Sequence, residues 1–351
     1  MVSLDSNACK QKENKSFGQD NLFSLIEGKK ILISGATGLI GQTLVYSIIE
    51  STQSTIVFAL IRNLEKAKKI FARIIPTKRL VFVVADILQP INFNEKVEYI
   101  IHAASETSSK AFVNAPFETI SIALDGTRNM LKLAQALNVE SFVYLSTMEI
   151  YGTPQTDEKI TENHPTNLDT MNVRSSYPES KRLCESLCTA FASEYKLPAK
   201  VVRLTQTFGP GVSYDDGRVF AEFARCAIEK RDIILHTKGE TKRNYLYTFD
   251  ASKAILTVLL RGETGSAYNA ANECTYCSVY EMANIVAKKI MKGKIKVIIN
   301  DADASNFGYA QSHKMNLSSA KLSALGWAPT CDLEDMFRRL ILSMGGENFL
   351  L

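Results

Sequence analysis

From residue 29 onward, short and nearly continuous apolar runs alternate with segments whose apolar positions recur every three or four residues. The apolar runs are "KKILIS" (29–34), "TIVFALI" (55–61), "RLVFVVA" (79–85), "VEYIIHAA" (97–104), "SFVYLST" (141–147) and "KVVRLT" (200–205). A strand covered on both faces has no polar side to alternate with, so runs of this kind predict buried parallel strands. Between them, "GLIGQTLVYSIIES" (38–51), "PFETISIALDGTRNMLKLAQAL" (116–137) and the segment around 176–195 carry helical periodicity. The alternation predicts an α/β chain: a Rossmann-type, doubly wound parallel sheet spanning 29–205. After residue 206 the elements shorten and mix, with helices expected at 219–230, 250–260 and 278–290 and extended runs at 232–237 and 294–300. That region, 206–345, is expected to form a smaller C-terminal mixed α/β substrate domain, with a stretch near 238–265 returning to the Rossmann domain. Residues 1–28 read as a polar lead-in.

Composition removes several classes of function. A chain of 351 residues, 46% hydrophobic, can bury a large core, and a formal charge of +4 spread along it marks neither a nucleic-acid footprint nor a polybasic membrane anchor. The longest apolar runs, such as "AILTVLL" (254–260), are too short to span a bilayer. The start of the chain has no apolar stretch of the signal-peptide kind, so a cytoplasmic location is expected. Seven cysteines form an odd set with no disulfide framework, which fits a reducing compartment. "CTYC" (274–277) is a lone pair without a second pair or a nearby histidine, and it runs into a capping box of Ser278 and Glu281, so no metal site is expected.

Candidate chemistry begins where the first apolar run enters "SGATGLIG", with Gly35, Gly38 and Gly41 spaced GxxGxxG. Glycines there allow a tight turn, and backbone amides along Thr37, Leu39 and Ile40 can approach a pyrophosphate at the positive end of the next helix. The second run ends in Arg62 instead of a carboxylate, which favours a 2′-phosphate and hence NADP, with NAD the alternative. Asp86 and Ile87 follow the third run and could hold and cover the adenine; the small Ala103 and Ala104 end the fourth and would let a cofactor lie against the chain. The fifth ends in "LSTMEIYG". These ends share the carboxyl edge of the expected sheet, where open α/β sheets bind ligands. In "SSYPESKR" (175–182), Tyr177 precedes Lys181 by one helical turn, so both side chains can face that edge.

In combination, "GATGLIG", "STMEIYG", "YPESK", "TFGPG", "KRNYLYTFD" and "LGWAP" resemble the extended short-chain dehydrogenase/reductases, the nucleotide-sugar-modifying epimerase/dehydratase family, over roughly 29–343. The resemblance implies that Tyr177 and Lys181 are a YxxxK catalytic pair, with Lys181 holding the nicotinamide ribose and lowering the tyrosine pKa. It places Thr147 on the reacting sugar oxygen and leaves Glu149 as a base or a sugar ligand. The closest pattern is that of UDP-glucuronate decarboxylases. It implies that Arg243 binds the diphosphate, that Gln206 and Arg218 lie in the nucleotide-holding region, and that Ser105, Met148, Glu149 and Arg174 face the substrate. It also implies a homodimer through helices at roughly 116–136 and 176–195.

Three departures bear on the reaction. Met148 stands where dehydratases of this family carry aspartic acid and decarboxylases serine; Gly211 replaces the decarboxylase arginine; and Ala123 replaces a common asparagine. These weaken elimination and decarboxylation without touching the hydride machinery. The favoured expectation is therefore an NADPH-dependent reductase of a keto group on a nucleotide-linked sugar or ketose, such as a CDP-linked one, serving surface polysaccharide precursors. The alternatives are recycled-cofactor chemistry (decarboxylase, 4,6-dehydratase or 4-epimerase) and, remotely, a non-catalytic cofactor-binding protein.

Overall fold

The computed structural model describes residues 22–300 and 313–345. The six expected runs all form strands: β1 (Lys30–Ser34), β2 (Ile56–Ile61), β3 (Leu80–Val84), β4 (Tyr99–His102), β5 (Ser141–Thr147) and β6 (Ala199–Leu204). The later strands are β7 (Gln206–Phe208), β8 (Ile233–Leu235), β9 (Lys242–Tyr247), β10 (Ala267–Ala270), β11 (Asn272–Ser278), β12 (Val297–Ile299) and β13 (Lys314–Met315). The main sheet has seven strands in the order β10-β6-β5-β4-β1-β2-β3, and every pair in it is parallel. The order reverses at β1 and β4, so the chain winds outward in both directions and leaves a crevice at their carboxyl ends.

Alternate residues of each strand feed opposite layers, which is why the sequence runs are nearly continuously apolar. Ile31 and Ile33 of β1, with Val143 and Leu145 of β5, join a core with the helices Leu39–Ser51 and Thr248–Arg261. Leu32, Phe142 and Tyr144 join the other, with the helices Pro116–Ala136 and Ser176–Glu194. At about 25 cal/mol per Å² of apolar surface, such two-sided burial is the main stabilising contribution to the sheet. A separate core forms among β7, β8, β9 and the helices Val219–Glu229 and Leu333–Ser343.

The chain does not leave the main sheet for good at residue 206. The Thr248–Arg261 helix packs against β5 and β6, and the following β10 becomes the sheet's edge strand. Asp250, fully buried, accepts from the Thr330 hydroxyl and the Thr330 amide, while Trp327 donates its ring N–H to the Asp250 carbonyl, which ties "LGWAP" back onto this helix. The polar lead-in expected over 1–28 needs correction in its described part. Phe23 and Ile26 are buried in the core, because the Ile26 carbonyl accepts from Thr55 and the Glu27 carboxylate accepts from the Gln53 amide beside it. Residues 1–21 lie outside the described residues.

Candidate active site

The glycine turn sits at the carboxyl end of β1. Gly35 has φ +65°, and a Cβ there would lie 2.6 Å from the Ala104 backbone, so β1 and the Ala103–Ala104 segment meet only because the side chain is missing. A Cβ on Gly41 would lie 2.2 Å from the Gly35 carbonyl, which fixes how closely the Leu39–Ser51 helix approaches the turn. Gly38 is the N-cap of that helix and no side chain caps it, which leaves its first-turn amides, with Thr37, Leu39 and Ile40 around them, open to an anion. A cradle closed to any Cβ beneath an uncapped helix start fits the pyrophosphate of a dinucleotide.

Below the turn, Ser34 Oγ lies 2.6 Å from His102 Nδ1 and accepts from the Ala104 amide, while His102 Nε2 lies 3.2 Å from Thr127 Oγ1. Burial, with the Lys181 charge adding to it, depresses the His102 pKa to about 3. The ring is therefore neutral. Its role is to pin β1, β4 and the Pro116–Ala136 helix together under the cofactor cradle. Sequence reading gave no reason to single it out.

Further along the edge, Ile87 is buried and fills the space left by Gly126, where a Cβ would come within 2.6 Å of it; the Asn129 amide donates to its carbonyl. Asp86 is exposed, and its carboxylate accepts from the Leu88 amide. Arg62 is exposed directly beyond β2 and makes no hydrogen bond or ion pair among the described residues.

Thr147, at the end of β5, caps the short Met148–Tyr151 turn by accepting from the Glu149 amide, and its side chain lies beside the Tyr177 phenol. Tyr177 and Lys181 sit one turn apart on the buried face of the Ser176–Glu194 helix. Lys181 Nζ donates to the Leu145 carbonyl at 2.8 Å and stands 4.8 Å from the Tyr144 ring centre and 5.8 Å from that of Tyr177. Burial lowers the Lys181 pKa to about 8. Burial also raises the Tyr177 pKa well above its ordinary value; the Glu149 carboxylate adds to the rise, and Thr147 and Arg174 oppose it. Thr147, Tyr177 and Lys181 are thus one cluster in the fold.

Glu149 lies beside this cluster, but its Oε2 is held 3.0 Å from Arg174 Nη1. The expected substrate group Arg174 therefore spends its charge on Glu149, which a sequence of separate motifs did not reveal. Met148 points into a packed cluster with Ile150, Tyr151 and Leu317, its sulfur accepting from the Thr205 hydroxyl at 3.3 Å. Ser105 donates to the Glu106 carbonyl. One residue past Thr205, the Gln206 side-chain oxygen accepts from Arg243 at 3.2 Å, and Arg243 Nε is buried without a partner. Arg218 lies apart from that pair, engaged by the Asp216 carboxylate and stacked 4.7 Å from the Phe220 ring. Sequence reasoning missed Phe112, whose ring lies against Tyr177; it sits in a polar stretch without a motif. Among the described residues no group of histidines, cysteines and carboxylates could hold a metal ion.

Residues 31–271 match the NAD dependent epimerase/dehydratase family. Among curated proteins, UDP-glucuronic acid decarboxylase 3 of Arabidopsis thaliana is 28% identical over 323 residues, covering 92% of this chain and 89% of the relative. The human dTDP-D-glucose 4,6-dehydratase is 26% identical, covering 89% of both chains. Among solved structures, an epimerase of Methanothermobacter thermautotrophicus superimposes with a TM-score of 0.77 at 22% identity, over 93% of this chain and 94% of that one.

Proposed function

The chain belongs to the NAD dependent epimerase/dehydratase family, as an enzyme of the extended short-chain dehydrogenase type, and from that premise we propose that it reduces a keto group on a nucleotide-linked sugar or ketose with NADPH. The observation that carries this reading is Met148: beside Glu149, where elimination needs an acid for the departing hydroxyl, stands a thioether packed against Thr205. Glu149 is itself paired with Arg174, and Gly211, at φ +98° with its carbonyl accepting from Gln42, holds a backbone shape that an arginine adopts only under strain. What stays intact is a proton path. The reduced nicotinamide, when bound, supplies the hydride to the carbonyl carbon. Tyr177 Oη gives its proton to the carbonyl oxygen, Thr147 hydrogen-bonds that oxygen, and Lys181 steadies the phenolate left behind. Arg243, which donates to Gln206 and has a buried Nε without a partner, is the cation that would take the diphosphate.

The test follows NADPH absorbance with a panel of nucleotide-linked keto sugars, and stoichiometric oxidation is expected for one of them. Glu149, together with the similarity to decarboxylases and dehydratases, favours a second reading in which the cofactor is recycled. In that case a nucleotide sugar is converted with no net change in NADPH or NAD.

Arg62 supports NADP: it is a free cation at the carboxyl end of β2. Arg62→Ala is expected to weaken NADPH binding roughly tenfold or more while leaving NADH nearly unchanged, as the loss of a charge-assisted pair to the 2′-phosphate requires. Titration of both cofactors checks it, and an unchanged preference would remove Arg62 from the site.

The homodimer reading is supported by apolar side chains left in water on the two long helices and the loop before the second: Phe117 is 79% exposed, Met171 89% and Leu183 47%. A two-fold pairing of such a patch covers each copy with the other. Phe117→Glu is expected to turn a dimer into a monomer in sedimentation or light-scattering measurements. A native chain that is monomeric at high concentration would end that reading.

A further inference from the structure

We propose that Phe112 is a positioning residue for Tyr177, a flat plate that fixes the orientation of the phenol ring and keeps water from one of its faces. The inference rests on the reading of Tyr177 as the proton donor. Phe112 comes from the short helix Ser109–Asn114, between β4 and the Pro116–Ala136 helix, and is 2% exposed. Its ring centre lies 4.1 Å from that of Tyr177 with the planes 6° apart, so one face of the phenol is sealed by an apolar ring. The plate is itself held in place. Ser176, next to Tyr177 in the chain, donates from Oγ to the Phe112 carbonyl at 2.9 Å. Behind it, the Arg174 guanidinium stands 5.9 Å from the Phe112 ring centre, in reach of a cation–π contact, while pairing with Glu149. Arg174, Phe112 and Tyr177 thus follow one another from the rim of the site inward.

The consequence is electrostatic. Burial is the largest influence raising the Tyr177 pKa, and the Phe112 ring covers one of its faces. The charged and titratable groups around the phenol are Glu149 and Glu106, which push the same way, Arg174, which opposes them, Lys181 at 5.8 Å from the ring centre, and Tyr144 beyond Lys181. A phenol shielded in this way stays neutral further into the alkaline range than an open tyrosine does. Loss of the plate would admit water to that face and ease ionisation.

The test needs no substrate. Tyrosinate absorbance is followed against pH for the native chain and for Phe112→Ala, Phe112→Leu and Phe112→Trp, each minus the same protein carrying Tyr177→Phe, with circular dichroism recording whether the fold persists. In the native chain and Phe112→Trp, Tyr177 is expected to ionise well above the ordinary tyrosine range; in Phe112→Ala its midpoint is expected to fall towards the free-tyrosine value of about 10. Phe112→Leu, which keeps the bulk but loses the flat ring, is expected in between and carries the test if the alanine variant does not fold. A folded Phe112→Ala or Phe112→Leu that titrates like the native chain would overturn the proposal, as would a Phe112→Trp that titrates as early as Phe112→Ala. Failure of the underlying reading looks different: Tyr177→Phe would remain active whatever the titrations show.

Discussion

Tyr177→Phe is expected to lower turnover by at least about 100-fold while cofactor affinity and melting temperature stay close to native values. General acid–base catalysis contributes roughly 100- to 10,000-fold, and the hydroxyl is the part of this side chain able to pass a proton to a sugar oxygen. The ring would keep its contact with Phe112, whose packing does not depend on the hydroxyl. Initial-rate kinetics on the substrate found by the NADPH panel, together with cofactor titration and thermal melting, check all three quantities. An active Tyr177→Phe enzyme would reduce the tyrosine to packing and remove the proposed mechanism.

Lys181→Met is expected to have the opposite balance: weaker cofactor binding by roughly tenfold or more and little turnover, in a chain that melts no lower than the native one. The ammonium is buried, donates to one carbonyl, and has no carboxylate within ion-pair distance among the described residues. An apolar side chain of similar length therefore removes a desolvation cost. The pH dependence follows from the same burial. In the cofactor-free fold the Lys181 pKa is lowered to about 8, below its ordinary value of 10.5, so between these two values the unfolded chain holds the proton that the folded chain has released. The burial cost is present in full below pH 8 and is relieved as pH rises through that window, which makes this group's contribution to stability more favourable on the alkaline side. Cofactor binding runs the other way. Ribose contacts and a phenolate are served best by the charged amine, so affinity is expected to fall as pH rises above about 8. Titrations at pH 7 and 9 would show it, and Lys181→Arg, which stays charged, should flatten the dependence. A cofactor affinity independent of pH in the native chain would mean that Lys181 does not hold the ribose.

The two proposals about Tyr177 and Lys181 place the site's charge in layers. Lys181 lies beneath the phenol, Glu149 and Arg174 form a neutral pair beside it, and Phe112 lies between the Arg174 guanidinium and the phenol ring. A substrate that drew Arg174 away would leave Glu149 unpaired beside Tyr177, and the carboxylate would then favour the protonated phenol more strongly.

The sequence by itself determined the parallel sheet and the cofactor turn. Strands buried on both faces are apolar through their middle, as "ILI" in "KKILIS" and "FVYL" in "SFVYLST" are, and a backbone that approaches Ala104 as closely as Gly35 does tolerates only glycine. Both constraints are local and leave their mark on adjacent residues. The edge strand β10 escaped notice because "AYNA" is short and carries the buried Asn269, whose side chain accepts from Tyr151 and donates to the Ile160 carbonyl far away in sequence. Likewise, "SSKAFVNAP" gives no hint that Phe112 lies on Tyr177, and nothing within "MEIY" or "NVRS" announces that Glu149 and Arg174 pair. These were decided only by the tertiary structure, because the β4 segment, the end of β5 and the start of the Ser176–Glu194 helix meet only after the sheet has assembled. Local pattern constrains what a residue's own backbone and burial demand; a side chain's partner across the crevice depends on packing between elements distant in the chain.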